Sequence, residues 1–525
     1  MTNKISNKRV LLICRERMSY PFFYLAKDLQ EQGNTIGLFF VSSFEGFYNK
    51  SRHNKYTYFY AKDNFENIYD LNDATERFLS SSDKDIIDNE FLSDIDDYYP
   101  IRKQFLFEQN LCSEFHFRFQ NNRINDKEKL FWIESVYINT KKNLDDFSPD
   151  IILDLENVTI TRLAIKYYAD KLNIPYIGIN YPRYKDYIIP SFNLSIENDV
   201  FLYERFNKVN VEESTGHKKY LNDYRAKDKI LPEKFKNSIT DYKYDYVHGL
   251  KTIVGSMLRE FDIECTSGNL KKKKYKFNLP LFENPFKKVL FHLRYEIKRV
   301  ISFSRLFNHF DEPIKNDKYL YYPLHLIPES TTFIQAPMFI DELSVIRNIS
   351  KSLPYNIKLY VKEHPAMCGE RPITFYKELK KLTNVRLIQL NYYSDPKPII
   401  ENSLGVITVA GSTALEAVML NKPALIFGHV PYELINGVRK NSSLNELSAD
   451  IKEMISEFKQ CDNEIIKYFM LIESIGVEIQ LAKMVKETET AIVHNKKINT
   501  ETKNELIKLM TLFEKGLYIY EQQKN

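Results

Sequence analysis

Residues 405–417 read GVITVAGSTALEA, a run in which an apolar strand turns directly into a helix. Gly411 lets the backbone approach a ligand closely, and Ser412 and Thr413 open the helix with unpaired amides. Such a helix start carries partial positive charge and binds phosphate or carboxylate groups. Glu416 lies one turn beyond Ser412 on the same face, where its carboxylate could bind two ribose hydroxyls. The run therefore predicts half of a nucleotide-binding site.

Strands and helices alternate on both sides of this run. Apolar strands are predicted at 9–14, 35–41, 150–155, 175–179, 319–325, 357–361, 385–390, 405–409 and 424–427. Helical spacing of apolar residues separates them, as at 21–33 and 161–172. Alternation of this kind is typical of parallel sheets covered by helices. We therefore predict an α/β protein with two Rossmann-like, doubly wound parallel sheets.

Composition shifts divide the chain into four parts. Residues 1–230 and 316–490 are predicted to be the two Rossmann-like domains. Residues 231–315 form a basic helical insert between them, and residues 491–525 carry an apolar helical stripe that packs back on a domain or a partner. The two α/β halves echo each other in architecture, although no internal repeat is found in the sequence.

Bulk properties exclude several classes of protein. The chain has 525 residues, of which 43% are hydrophobic, and a formal charge of +4, too mild to indicate nucleic acid as a partner. No run approaches about 18 apolar residues, and the N-terminus lacks a signal peptide, so we expect a cytoplasmic protein. The five cysteines show no zinc-ligand spacing. The loop after the first strand lacks a dinucleotide fingerprint, and we expect no cofactor.

The insert has a pattern that allows two interpretations. Between residues 271 and 299, lysines and arginines alternate with phenylalanines and leucines, and only Glu283 and Glu296 oppose them. Such a segment can lie peripherally on the anionic inner face of a membrane. It can equally be an interdomain linker with solvated lysines. The sequence leaves both open.

His364 is the first candidate for catalysis. It follows the predicted strand 357–361 in the stretch VKEHP, next to Lys362. Ligands of parallel sheets bind beyond the carboxyl ends of strands. A histidine with a cationic neighbour could there neutralise the charge on a departing nucleoside phosphate. The alternative is a histidine that only caps a loop.

The N-terminal half offers Glu156 and Arg15. Glu156 ends the strand 150–155 and could deprotonate an acceptor hydroxyl or attack an anomeric carbon. Alternatively, Asp154 and Glu156 cap the following helix. Arg15 follows the first strand and could bind an anionic acceptor. Asp94 and Asp96 have the spacing of a metal-binding DxD, but their acidic, serine-rich surroundings predict solvated carboxylates, so no metal ligand is expected.

Three segments together resemble the bacterial capsule polysaccharide biosynthesis family: YPLHLIPE at 322–329, VKEHPAMCGER at 361–371, and TVAGSTALEAVMLNKPALIFG at 408–428. That family groups with Kdo- and sialic-acid-type glycosyltransferases of GT-B architecture. The resemblance implies two Rossmann-like domains facing a cleft. It also implies that residues 1–230 bind the acceptor and residues 316–490 the nucleotide sugar.

The resemblance also implies roles for single residues. His364 would contact the donor phosphate with support from Lys362. The turn of Gly411, Ser412 and Thr413 would hold phosphate, and Glu416 would bind the ribose. Further candidates for substrate contact are Arg371, His325, Glu329 and Ser330. Arg371 could instead be a surface cation, and the other three could instead stabilise their loop.

We therefore expect a metal-independent GT-B glycosyltransferase that moves a sugar to a capsule or other surface polysaccharide or glycolipid. The donor would be a nucleotide sugar, for example CMP-Kdo or another CMP-ulosonic acid. Two alternatives keep the same fold, a CDP-polyol phosphotransferase and a UDP-sugar epimerase. A third is a non-catalytic scaffold of a polysaccharide assembly complex.

Overall fold

The computed structural model describes residues 4–41, 52–81, 87–107, 125–156, 159–193, 199–211, 214–230, 246–261, 285–327, 329–390, 392 and 395–524. In chain order its strands are β1 (Arg9–Cys14), β2 (Thr35–Phe40), β3 (Asn67–Tyr69), β4 (Ile151–Asp154), β5 (Tyr176–Asn180), β6 (Tyr187–Ser191), β7 (Tyr319–Pro323), β8 (Lys358–Lys362), β9 (Val385–Ile388), β10 (Val406–Thr408), β11 (Ala424–Ile426), β12 (Val438–Lys440) and β13 (Val477–Glu478).

These strands form two sheets. The first has the order β13-β6-β5-β4-β1-β2-β3, parallel from β5 to β3 and antiparallel at β6 and β13. The second has the order β12-β11-β10-β7-β8-β9 and is parallel throughout. In both sheets the chain starts in the centre and then reverses direction across the sheet, as doubly wound folds do. The prediction of two parallel-sheet α/β domains is confirmed.

Helices cover the sheets, and continuous apolar runs explain the central strands. The α-helices are Ser19–Glu31, Arg52–Asn64, Asn72–Ser80, Asn89–Tyr98, Ile101–Gln104, Asp126–Phe147, Ile160–Lys171, Phe201–Lys208, Thr215–Ala226, Tyr246–Phe261, Pro285–Leu306, Ser330–Phe333, Glu342–Ser352, Ile373–Lys380, Lys397–Glu401, Thr413–Met419, Leu447–Ser456, Asp462–Ile475, Leu481–Val493 and Thr500–Lys524. Central strands such as β1 and β4 are buried on both faces, which is why they lack polar alternation. The predicted glycine end of the first helix is Gly33, which has a φ of 84°.

The end of the chain corrects one predicted boundary. Residues 477–490 were assigned to the second α/β domain, but β13 pairs with β6 of the first sheet. The helix Leu481–Val493 then packs on the first helix of the chain. The reason is that the edge of β6 offers unpaired backbone groups and the helix has apolar side chains to bury. Further on, Gly516 lies so close to the first sheet that a Cβ would be 2.6 Å from Ile177.

The structure also bears on the acidic pair Asp94 and Asp96, on metal binding and on membrane-spanning helices. Asp94 and Asp96 are exposed on the helix Asn89–Tyr98, as predicted, but protein groups also bind them: Asp94 accepts from Tyr167 and Lys171, and Asp96 accepts from the amide of Ile101 at 2.6 Å. The described residues hold no group of three or more His, Cys, Asp or Glu side chains placed to share a metal ion. Nor does this part of the chain contain a helix long and apolar enough to cross a membrane.

Candidate active site

His325 joins the two motifs that the sequence singled out. β7 lies between β8 and β10, so the ends of those two outer strands are roughly 10 Å apart. His325 follows β7 and fills this gap, with its Nε2 2.9 Å from Thr408 Oγ1 at the end of β10. A Cβ on Gly411 would lie 3.3 Å from the same nitrogen. On the other side, the amide of Leu324 donates to the carbonyl of Lys362 at 2.9 Å, which brings the residue before His325 beside the strand end that leads to His364. The two motifs thus meet at one edge of the sheet.

His364 is both a cap and a candidate donor. Its Nδ1 accepts a hydrogen bond from the amide of Ala366 at 3.2 Å, at the start of the short 3-10 helix Pro365–Met367. Burial lowers the pKa of His364 below its ordinary value of 6.5, so the ring is neutral at pH 7. Because Nδ1 accepts, the single ring proton belongs on Nε2. His364 therefore offers a hydrogen bond rather than a positive charge.

Lys362 supplies the charge beside it. This residue ends β8, and burial lowers the pKa of its ammonium group to about 8, partly offset by the carboxylate of Asp395. Lys362 is therefore mostly protonated at pH 7. An anion at this edge of the sheet would raise its pKa again and gain from the attraction.

The turn after β10 differs in one respect from the prediction. The amide of Gly411 does not face a ligand, because it donates to Thr408 Oγ1 at 3.2 Å. A Cβ at Gly411 would be only 2.6 Å from that oxygen, so the close approach that requires glycine is to Thr408. The helix Thr413–Met419 has seven residues, and Ser412 precedes it without a capping side chain. The backbone amides of Ser412 and Thr413 remain as donors.

Glu416 lies on the predicted face of this helix. Ser412 Oγ donates to Glu416 Oε1 at 3.2 Å, which confirms that the two residues are neighbours across one turn. Burial raises the pKa of Glu416 to about 7, and the nearby charge of Asp395 contributes to this rise. The hydrogen bond from Ser412 and the charge of Arg183 oppose it. A carboxylate that titrates near pH 7 is poised to accept hydrogen bonds in its ionised form.

Arg371 is buried, so two expectations for it are wrong. It is neither a residue that contacts substrate nor a cation on the surface. Its side chain is 1% exposed and lies under the site. Its guanidinium binds Glu363 Oε2 at 3.0 Å and Glu342 Oε2 at 2.7 Å, and it donates to the carbonyl of His325. Tyr376 donates to Glu363 at 2.5 Å. Burial raises the pKa of Glu363, whereas in Glu342 Arg371 and His325 outweigh burial and lower the pKa.

His325 is likewise fully engaged by protein. Its backbone amide and its Nδ1 each lie 2.8 Å from Glu342 Oε1, and its Nε2 contacts Thr408. Direct substrate contact through the ring is therefore not available, and His325 holds the two motifs at a fixed separation. Glu329 is exposed, and its charge opposes the lowering of the pKa of His364 by burial. Ser330 begins the helix Ser330–Phe333.

Glu156 lies between two arginines in the N-terminal half. It is 3.5 Å from Arg15 Nη1 and 3.3 Å from Arg162 Nη2, and about a quarter of its side chain is exposed. Arg162 is buried and bridges to Asp154 at 2.7 Å. The alternative in which the carboxylates cap the next helix is wrong, because Thr159 caps it by accepting from the amide of Arg162. Glu156 is thus a partly exposed carboxylate paired with two arginines.

Side chains of the N-terminal and C-terminal halves contact each other near the helix that carries Glu416. Arg225 of the helix Thr215–Ala226 donates to the carbonyl of Met419 at 2.6 Å and pairs with Asp462 at 2.6 Å. Tyr468 donates to the carbonyl of Pro182 at 2.6 Å. The helix Asp462–Ile475, which carries Tyr468, also contacts the helix Thr413–Met419 that carries Glu416, so this helix joins the loop 181–186 after β5 to the helix of Glu416. The sequence contained no signal for this meeting, because the partners are some 190 to 290 residues apart.

Comparison with known proteins agrees with the motifs. Residues 310–460 match the family model described as capsule polysaccharide biosynthesis protein, and this range includes β7 to β12 and every site residue of the second sheet. The resemblance predicted from 322–329, 361–371 and 408–428 is therefore confirmed. A search of curated proteins gave no match to the chain.

The solved structures that resemble the chain share little sequence with it. KpsC from Thermosulfurimonas dismutans, a beta Kdo 2,4 transferase, is 12% identical and matches 68% of this chain and 87% of its own, with a TM-score of 0.29. UDP-GlcNAc 2-epimerase from Methanocaldococcus jannaschii is 12% identical. The match covers 89% of this chain and 99% of the epimerase, with a TM-score of 0.24. S. aureus MnaA bound to UDP is 11% identical. The match covers 94% of this chain and 99% of MnaA, with a TM-score of 0.27. The GT-B-like class follows from the two sheets described above.

Proposed function

We propose that the chain is a glycosyltransferase of capsule or surface polysaccharide synthesis that uses a nucleotide-sugar donor. One observation carries the proposal: His325 brings His364 and the turn at 411–413 to one sheet edge. That edge lies within the segment 310–460, which matches the capsule family. The finer proposal, a CMP-activated ulosonic acid such as Kdo as the donor, rests on the resemblance of segments 322–329, 361–371 and 408–428 to the capsule family.

The donor side stabilises the leaving nucleotide. The bond between the anomeric carbon and a phosphate oxygen breaks, and negative charge collects on that oxygen. The Nε2–H of His364 and the ammonium group of Lys362 receive this charge, together with the amides of Ser412 and Thr413. Glu416 accepts hydrogen bonds from the ribose. These groups supply the stabilisation that Mg²⁺ supplies in other transferases, so we propose a metal-independent reaction.

The acceptor side activates a hydroxyl. Glu156 takes the proton of an acceptor hydroxyl while that oxygen bonds to the anomeric carbon. Arg15, 3.5 Å away, positions an anionic acceptor. The ion pairs of Glu156 with Arg15 and Arg162 hold its carboxylate in place beyond the end of β4. The accessible quarter of its surface allows the acceptor to approach.

A thermal-shift screen with CMP, CDP, UDP and GDP tests donor binding and carries a pH prediction. A nucleotide at a hundredfold excess over its dissociation constant should stabilise the fold by about 2.7 kcal/mol. Because burial raises the pKa of Glu416 to about 7 and the ionised form binds ribose, affinity should rise between pH 6 and pH 8. Isothermal titration across this range measures it.

Glu416→Gln provides the control. Ionising Glu416 costs more in the folded than in the unfolded state, so its contribution to stability falls as the pH rises from about 4.5 to about 7. The variant removes that cost, so its melting temperature at pH 8 should equal or exceed that of the parent. Its nucleotide affinity should be low and independent of pH. An unchanged, still pH-dependent affinity would show that Glu416 does not bind the nucleotide.

Product analysis separates the alternatives. A transferase releases the nucleotide from a nucleotide sugar, whereas a CDP-polyol phosphotransferase releases CMP from CDP-glycerol. An epimerase changes UDP-GlcNAc without releasing nucleotide. A scaffold binds none of them, and its polysaccharide output would be indifferent to substitutions at His364 and Glu416.

Two helices of the insert support the proposal that the enzyme works at the inner face of a membrane. Exposed apolar side chains follow one another along both helices, between 40% and 63% exposed: Tyr246, Val247, Leu250 and Val254 on the first, and Leu290, Leu293, Ile297 and Ile301 on the second. Exposed cations accompany them, Lys251, Arg294, Lys298 and Arg305. Glu296 turns inward beside Arg299, and Arg299 pairs with Glu370 at 3.3 Å. The outer surface is therefore apolar and cationic, which suits an anionic bilayer.

Vesicle sedimentation measures this contact. The chain should bind vesicles that contain phosphatidylglycerol and not vesicles of phosphatidylcholine alone. Each cation near the surface contributes about 1 kcal/mol, so Arg294→Gln with Lys298→Gln should weaken binding roughly 30-fold. The matched control is Lys452→Gln with Lys486→Gln, which removes two exposed lysines on other helices. Equal binding by the two double variants would favour the interdomain linker.

A further inference from the structure

Arg183 is a cation whose position the sequence analysis did not predict. It lies in the loop after β5, its side chain is exposed, and its φ is 63°. That value is in the left-handed region, which residues other than glycine and asparagine rarely adopt. Backbone strain at one exposed residue persists only where the surrounding structure holds it.

The neighbours of Arg183 on both sides are fixed to the C-terminal half. Tyr468 donates to the carbonyl of Pro182 at 2.6 Å. Tyr184 donates to Glu473 at 2.9 Å. Its ring also stacks on the ring of Phe469 in the same helix, Asp462–Ile475, with the two centroids 4.1 Å apart. The two anchors precede and follow Arg183 directly. The backbone is thus held in place while the long side chain stays accessible.

Neighbouring elements place Arg183 between the groups proposed for the two substrates. β5, which the loop of Arg183 follows, pairs with β4, and Glu156 lies two residues beyond the end of β4. The helix Asp462–Ile475, which anchors the loop, also contacts the helix Thr413–Met419 that carries Glu416. Burial raises the pKa of Glu416, and the charge of Arg183 opposes that rise. The guanidinium has no ion pair or hydrogen bond with any described residue, so it is available for an anionic ligand.

We propose that Arg183 binds an anionic group of the donor. This group would lie between the ribose bound by Glu416 and the acceptor hydroxyl at Glu156. This inference rests on the proposed function and adds a specificity-determining residue from the N-terminal half. The planar guanidinium can bind carboxylate or phosphate through two parallel hydrogen bonds. Two sources share this chemistry, the nucleotide phosphate and a carboxylate on the transferred sugar.

Arg183→Asn is the variant that tests the proposal. Asparagine tolerates the left-handed backbone, so the melting temperature of the unliganded protein should match that of the parent. Isothermal titration uses CMP and CMP-Kdo as probes. If the phosphate is the partner, the variant should bind both probes at least tenfold more weakly. If the sugar carboxylate is the partner, only CMP-Kdo should lose affinity.

Three comparisons make the outcome decisive. Arg183→Lys keeps the charge but not the paired hydrogen bonds, so it should recover part of the affinity. Arg205→Asn removes an arginine of the nearby helix Phe201–Lys208 and should change neither probe. Arg183→Asn with unchanged affinity for both probes would overturn the role of Arg183 alone. A parent protein that binds neither these probes nor any nucleotide of the screen would overturn the proposed function as well.

Discussion

His364→Asn is expected to lower the rate of nucleotide release from the donor about 10²–10³-fold, the usual loss when one donor to a developing oxyanion is removed. Asparagine Oδ1 can still accept the amide of Ala366 and so preserve the cap that Nδ1 provides at 3.2 Å. Only the Nε2–H is lost. The folded state should therefore be unaffected while kcat falls, and release of nucleotide over time measures the change.

The control for this variant is His494→Asn, an exposed histidine after the helix Leu481–Val493. It should keep full activity and stability. If His364→Asn were as active as this control, the capping role would be the whole role of His364. The transferase proposal would then lose its catalytic donor.

Arg371→Ala is expected to lower the free energy of unfolding by about 3–5 kcal/mol, because it leaves two buried carboxylates without their cation. Glu342 and Glu363 are both at most 2% exposed. Glu342 also orients His325, so loss of Arg371 should loosen the contact between His325 and Thr408. Urea unfolding followed by circular dichroism measures the loss of stability.

Arg347→Ala is the matched control for this prediction. Arg347 pairs with Glu378 at 2.8 Å, but its side chain is 42% exposed, so solvent replaces the lost partner. Its unfolding midpoint should hardly move. A similar small shift for Arg371→Ala would mean that the buried carboxylates relax to solvent or become protonated at little cost, and that the network does not support the site.

The local parts of the site could be predicted from the sequence. The continuous apolar runs that become β1 and β8 identify buried parallel strands, and their ends place Arg15 and His364 at the sheet edge. The pairing of Ser412 with Glu416 follows from helical spacing alone, and the structure confirms it at 3.2 Å. These features depend on residues within one or two turns of each other, where backbone geometry dictates which side chains meet.

Only the tertiary structure decided what each polar group at this edge contacts. Arg371 had the same sequence signal as a ligand-binding arginine, yet it is buried between Glu342 and Glu363. Arg183 had no signal, although the fold anchors its loop to the helix Asp462–Ile475, which contacts the helix that carries Glu416. Long-range pairing depends on how the sheets and the last helices pack, and that packing follows from the burial of many side chains together. Periodicity along the chain indicates which face of an element is buried, but not which partner covers it.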